Sequence, residues 1–202
     1  MTDDNSENLD WIHLDSRYDP EAGLILFEKR LDRMRNPRNG KEFDRLVLES
    51  VDWVNMVAID EAQRCVMIRQ YRFGVGYATL ETPGGMVDPG EDSLTAARRE
   101  LQEETGYVSD HWTYLGAVEP NPAFHNHLCH HWLAENAHLG SQQNQGDGEA
   151  IKVELMDAEQ VKQVVRSGEL KHALALSALS RVYQLWPLPF VHDADNLDAD
   201  KA

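Results

Sequence analysis

The chain has 202 residues, enough to bury one good core with a small appendage. Thirty-five acidic against nineteen basic residues leave a formal charge of −16, which argues against nucleic acid or an anionic membrane as partner. Two cysteines, no basic or apolar leader in MTDDNSENLD and no window of membrane-spanning length point to a soluble, cytoplasmic protein with Cys65 and Cys129 as buried thiols. An anionic substrate must then be met by local positive charge, from arginines or a bound metal. The first ten residues read as loose. Residues 18–34 read as a strand, followed by the turn signals Asn36-Pro37 and Asn39-Gly40 and a second strand over 43–51. Such a hairpin is marginal alone and needs a surface to pack on.

Residues 53–59 (WVNMVAI) and 65–71 (CVMIRQY) are strands of near-continuous hydrophobicity, the pattern of central strands covered on both faces. Arg69 and Arg72 bracket Gln70-Tyr71 and are candidates for phosphate contact, because the planar guanidinium fork suits pyrophosphate oxygens. A short strand over 78–82 leads to a glycine-rich turn, Pro83-Gly84-Gly85, and then to a helical pattern. Leu94, Ala97, Leu101 and Thr105 share one face of that helix. Glu100, Glu103 and Glu104 share another, at i, i+3 and i+4. Like charges at this spacing weaken a bare helix by a few tenths of a kcal/mol per pair, and a hard divalent cation is the natural agent to offset it.

Further along, residues 112–118 read as a strand and 124–134 (FHNHLCHHWLA) as another, carrying His125, His127, His130 and His131. No cysteine pair completes a zinc set with them, so the reading is that one or two line a cleft and the rest are structural. Residues 140–148 (GSQQNQGDG) form a polar loop before an alternating strand over 149–156. Asp157 with Gln160 is a capping arrangement that opens a helix through Arg166, closed by Ser167-Gly168. A final helix is expected over 172–186, stopped by Pro187 and Pro189, before an acidic tail.

Seven fixed positions, Gly85, Glu91, Arg99, Glu100, Glu103, Glu104 and Gly106, match the pattern G-x5-E-x7-R-E-U-x-E-E-x-G-U, with Leu101 and Tyr107 in the apolar places. Only the aromatic Tyr107 departs from it, at a packing position. On this box the chain resembles the Nudix hydrolase superfamily. Gln70-Tyr71-Arg72, Pro122 fifteen residues past Tyr107 and the N-terminal strands make it similar to the ADP-ribose and nucleoside diphosphate sugar pyrophosphatase group.

That resemblance implies an α/β fold, a Nudix-type α/β/α sandwich with a mixed sheet, plus an N-terminal β-hairpin unit. It implies a strand unit over 1–51 used in homodimer formation, a Nudix domain over 52–190 and a disordered acidic tail over 191–202. The implied metal is Mg2+, with Mn2+ as a substitute, held by Glu100, Glu103, Glu104 and the Gly84 carbonyl. Arg72, Glu81 and Arg69 are the implied substrate contacts, and Arg99 orients a box carboxylate. The general base is left open between Glu149, Asp147 and Glu100. The implied reaction is hydrolysis of the pyrophosphate bond of a nucleoside diphosphate sugar, ADP-ribose or an NDP-hexose of the GDP-mannose type, to a nucleoside monophosphate and a sugar phosphate. Cleavage of a dinucleotide or nucleoside triphosphate is the alternative. A non-catalytic ligand sensor is a third reading, disfavoured because every box carboxylate is kept.

Overall fold

A computed structural model of the chain describes residues 14, 26–144, 146, 148 and 150–185. The hairpin forms as expected: β1 (Glu28–Arg35) and β2 (Glu42–Glu49) pair antiparallel, from Glu28↔Glu49 to Arg35↔Glu42, as a two-stranded sheet of their own. Its turn is built by asparagine. The Asn36 and Asn39 side chains accept from Arg38 N and Lys41 N, and Gly40 takes the left-handed φ of 69°. The upstream part of the expected first strand, 18–25, lies outside the described residues, as do 1–10 and the acidic tail.

The remaining strands form one mixed sheet. They are β3 (Trp53–Asp60), β4 (Cys65–Arg72), β5 (Tyr77–Glu81), β6 (Gly84–Met86), β7 (Tyr107–Val108), β8 (His111–Val118), β9 (Cys129–Leu139) and β10 (Ile151–Met156). The order is β10-β4-β3-β9-β7, with β5 on β4, β6 on β3 and β8 on β9. β3 and β9 run parallel at its centre and the other pairs are antiparallel.

Strand alternation splits the core in two. Val54, Met56, Ala58 and Val66 meet Ala96, Ala97 and Leu101 of α1 (Ser93–Thr105) on one face. Val57, Cys65 and Met67 meet Val161 and Val165 of α2 (Ala158–Arg166) and Ala175, Ala178 and Leu179 of α3 (Ala173–Ser180) on the other. This is the expected α/β/α sandwich, and it explains the unbroken hydrophobicity of β3 and β4, which feed both cores. The capping box of α2 also forms: Asp157 accepts from Glu159 N and Gln160 N at 2.9 Å, and Gln160 accepts from Asp157 N at 2.9 Å.

Two boundaries on the catalytic sheet and its last helix differ by several residues from the sequence reading. The strand expected over 124–134 begins five residues later, at Cys129, and runs on to Leu139. Phe124 N and His125 N both bond the Asn121 carbonyl in a tight turn, and Phe124 O accepts from Leu48 N of β2, so this segment is committed before the sheet begins. The last helix, expected over 172–186, spans only Ala173–Ser180. Arg181 ends it, its guanidinium bonding the Leu115 and Ala117 carbonyls beside the β8 irregularity at Gly116. Trp186 lies outside the described residues. Among the described residues no helix is long and apolar enough to cross a membrane.

Candidate active site

The site is organised by the short β6 strand and the helix that follows it. β6 pairs with the start of β3, Trp53↔Met86 through Asn55↔Gly84, which brings the two glycines against the sheet. A Cβ at Gly84 would collide with the Val54 carbonyl and the Asn55 amide, and a Cβ at Gly85 would land on the Glu100 carboxylate. Glycine is required at both for close approach, not for unusual dihedrals. Asp92 then caps α1, accepting from Leu94 N and Thr95 N at 2.9 Å, and Gly106 closes it at φ 74°.

The helix brings the three expected carboxylates to this turn in different states. Glu104 is 3% exposed and accepts from Gly84 N at 2.8 Å. Arg99 bonds Glu100 at 2.8 Å, Glu103 at 3.2 Å, both oxygens of Glu91 at 3.0–3.2 Å, and the Met86 carbonyl at 2.9 Å. Its hydrogen bonds, to Glu91 first, hold the guanidinium still more firmly protonated, and Glu91 is held below the ordinary carboxylate range by the same bond. Arg99 thus orders three acids that would otherwise repel.

Whether this site suits a divalent cation is a question of donor chemistry and space. The donors are all oxygen, two glycines leave room for the carboxylates at the loop, and the loop backbone already meets Glu104. These features fit a hard ion. Among the described residues no three His, Cys, Asp or Glu side chains close into a preformed cage, Glu100 and Glu103 being drawn toward Arg99.

A second charged pair stands on β4 and β5. Arg72 meets Glu81 bidentately at 2.7 and 2.6 Å, and the Thr79 hydroxyl donates to the same carboxylate. Burial works to raise the Glu81 pKa, but the bonds and charge of Arg72 outweigh it, and the group sits below its ordinary value. Arg72 shares strand parity with Val66, which packs on the α1 side. Arg69, expected beside it as a substrate contact, has the opposite parity. It bonds Glu154 at 2.8 Å and also Glu169, which braces β4 against β10 and the segment after α2.

The loop after β9 docks on the end of the box helix. Gly140 N and Ser141 N bond the Gly106 carbonyl, Asn144 N bonds the Glu103 carbonyl at 2.9 Å, and the Gln143 amide donates to the Glu104 carbonyl at 2.5 Å. Asp147 and Glu149, the two loop candidates for general base, lie outside the described residues.

The four histidines do not converge. His130 bridges the Tyr114 hydroxyl at 2.9 Å and Asp52 at 3.1 Å. His131 is fully buried on Ser177 at 3.1 Å, and burial pushes its pKa down to about 4. His125 and His127 stack at 5.1 Å, with His127 4.2 Å from the Trp53 ring. Two contributors to the site escaped the sequence reading. Asn55, 5% exposed, donates to the Pro83 carbonyl at 3.3 Å beneath the glycine turn. His172, which caps α3, reaches Glu81 at 3.4 Å. The sequence reading only started the last helix at 172; the capping role and the long-range partner of His172 came from the fold.

Comparison with known proteins agrees with this arrangement. The family model described as NUDIX domain matches residues 49–176. The ADP-ribose pyrophosphatase of Bacillus subtilis (strain 168) is 28% identical over 142 residues, 70% of this chain and 77% of that protein. The ADP-ribose pyrophosphatase of Mycobacterium tuberculosis (strain ATCC 25618 / H37Rv) is 34% identical over 110 residues, and the match spans 54% of this chain and about half, 53%, of that protein's length. A crystal structure of an ADP compounds hydrolase superposes with a TM-score of 0.69 at 24% identity, over 80% of this chain and 86% of its own, a likeness of fold.

Proposed function

The chain belongs to the NUDIX family and is a Nudix pyrophosphatase, and from that premise we propose that it hydrolyses the pyrophosphate bond of ADP-ribose and related ADP-sugars. The products are AMP and a sugar phosphate. The observation that carries the reading is the box itself: Glu104 buried on Gly84 N, Glu100 against Gly85, and Arg99 ordering Glu91, Glu100 and Glu103. Its relatives described as ADP-ribose pyrophosphatases support the substrate class.

The residues divide the work. Glu100, Glu103, Glu104 and the Gly84 carbonyl would hold Mg2+, which when bound supplies charge neutralisation at the phosphates and acidifies a coordinated water. Arg99 fixes the rotamers of the carboxylates around it. Arg72, held flat by Glu81, presents its guanidinium toward the anionic substrate, a pairing for which a planar fork is better suited than an ammonium. The proton of the attacking water passes to a carboxylate as the P–O bond to the leaving phosphate breaks. We assign that proton to Glu149, with Asp147 and Glu100 as the competing acceptors, because the loop that carries Glu149 is anchored at 140–144 on the box helix. The 1–51 unit, whose hairpin leaves Leu31, Met34, Phe43 and Leu46 exposed, serves as a dimerisation element beside the catalytic domain of 52–190.

The test is a panel of ADP-ribose, ADP-glucose, GDP-mannose, a dinucleotide and ATP, read by phosphate release from the products with a coupled phosphatase, with and without Mg2+. ADP-ribose and ADP-sugars should dominate, and EDTA should abolish turnover. Preference for the dinucleotide or ATP would overturn the substrate reading, and no turnover of any compound would restore the sensor alternative. Light scattering across dilution tests the dimer, which a monomer at micromolar concentration would exclude.

A further inference from the structure

A buried carboxylate must be satisfied by donors, and those donors decide where it points. Among the described residues, Arg72 and Thr79 hydrogen-bond the fully buried Glu81, and His172 stands against the same carboxylate with Nε2 3.4 Å from Oε2. The other ring nitrogen is already used. His172 Nδ1 accepts from Ala175 N at 3.3 Å as the cap of α3, so the ring proton lies on Nε2, facing the carboxylate. One imidazole thus joins the first turn of a helix to a charged pair on the sheet, across 91 positions of sequence. The helix gives it a firm base, since Ala175, Ala178 and Leu179 are wholly buried.

We propose that His172 is a positioning residue: by holding Glu81 Oε2 it fixes the plane of the Glu81 carboxylate, and through it the direction in which Arg72 presents its guanidinium to the substrate. The inference rests on the reading of Arg72 as a phosphate contact. Burial, aided by the Arg72 charge, keeps the imidazole toward its neutral form against the pull of Glu81, so it stands against the carboxylate as a neutral dipole and not as a second cation competing with Arg72.

Two amide substitutions separate the functions of the ring. Asn at this position keeps an acceptor near Nδ1 and so retains the cap, but it is too short to reach Glu81. Gln places its amide nitrogen near Nε2 and keeps the donor while weakening the cap. With ADP-ribose as substrate, His172→Asn should raise KM about tenfold, a loss typical of outer-shell partners, with a near wild-type melting temperature. His172→Gln should restore KM toward wild type although it melts lower. Arg72→Lys, which keeps a cation on Glu81, should raise KM at least as much as His172→Asn.

A wild-type KM in His172→Asn alongside a raised KM in Arg72→Lys would overturn the positioning role alone. An unchanged KM in Arg72→Lys would overturn the reading beneath it. KM changes that follow the melting temperatures of the two His172 variants would reduce the residue to a structural cap. If either His172 variant does not fold, the other decides: a raised KM for Asn or a preserved one for Gln supports the role, and the reverse refutes it.

Discussion

The two faces of the central sheet share strands and differ in what they bury. Toward α2 and α3, β3 and β4 present Val57, Cys65 and Met67 to an apolar layer, and the buried imidazole of His131 is satisfied by Ser177. Toward α1, the same strands present Val54, Met56 and Val66, but the helix across from them also carries Glu104, buried to 3% exposure, and the Arg99 cluster. The apolar half of α1 secures the helix, and each charge beside it is offset by a specific partner: a backbone N–H for Glu104, one guanidinium for Glu91, Glu100 and Glu103. One face supplies stability and the other spends part of its packing on charge, which is where chemistry is expected.

Changes on each face should therefore fail in different ways. Glu104→Gln removes a charge at constant volume, and turnover should fall by about 10³-fold, roughly 4 kcal/mol of barrier, while the melting temperature stays close to wild type. Turnover near the wild-type value at saturating Mg2+ would end the distinction between the faces. Met67→Ala, on the opposite face, should cost about 2–5 kcal/mol of stability in denaturant titration and leave KM unchanged below the unfolding transition. An altered KM with intact stability would show that the apolar face also shapes the site.

Acid should also report on the α3 side. His131 has a pKa of about 4 in the folded protein against an ordinary 6.5, so the unfolded chain binds more protons between those values. Its contribution is present in full above about pH 6.5 and is lost as pH falls toward 4, on the order of 3 kcal/mol at most. His131→Gln should then flatten the fall in melting temperature between pH 7 and pH 4.5, and an equally steep fall would show that other groups carry it. The smallest expected effect separates the two arginines of β4. Arg72→Lys should raise KM for ADP-ribose by about tenfold, whereas Arg69→Ala, on the opposite face, should leave KM alone and cost about 1 kcal/mol or less of stability. Equal KM effects would mean that strand parity does not sort these side chains.

Much of this was legible in the sequence because it is local. Residue spacing alone put Glu100, Glu103 and Glu104 on one side of α1, Leu101 and Ala97 on another, and a capping box at Asp157, since helical geometry repeats every 3.6 residues whatever surrounds it. Turn residues marked the hairpin and the glycine loop for the same reason. Tertiary structure alone decided the rest. Arg69 and Arg72 look alike in sequence, and only the placement of Glu154, Glu169 and Glu81 on neighbouring elements gives them different partners. The strand through the histidines starts late because Phe124 is claimed by Leu48, 76 positions earlier, and His172 finds Glu81 only once α3 has packed on the sheet. Hydrogen bonds and ion pairs between distant segments depend on how whole layers settle, and no local period in the chain encodes that.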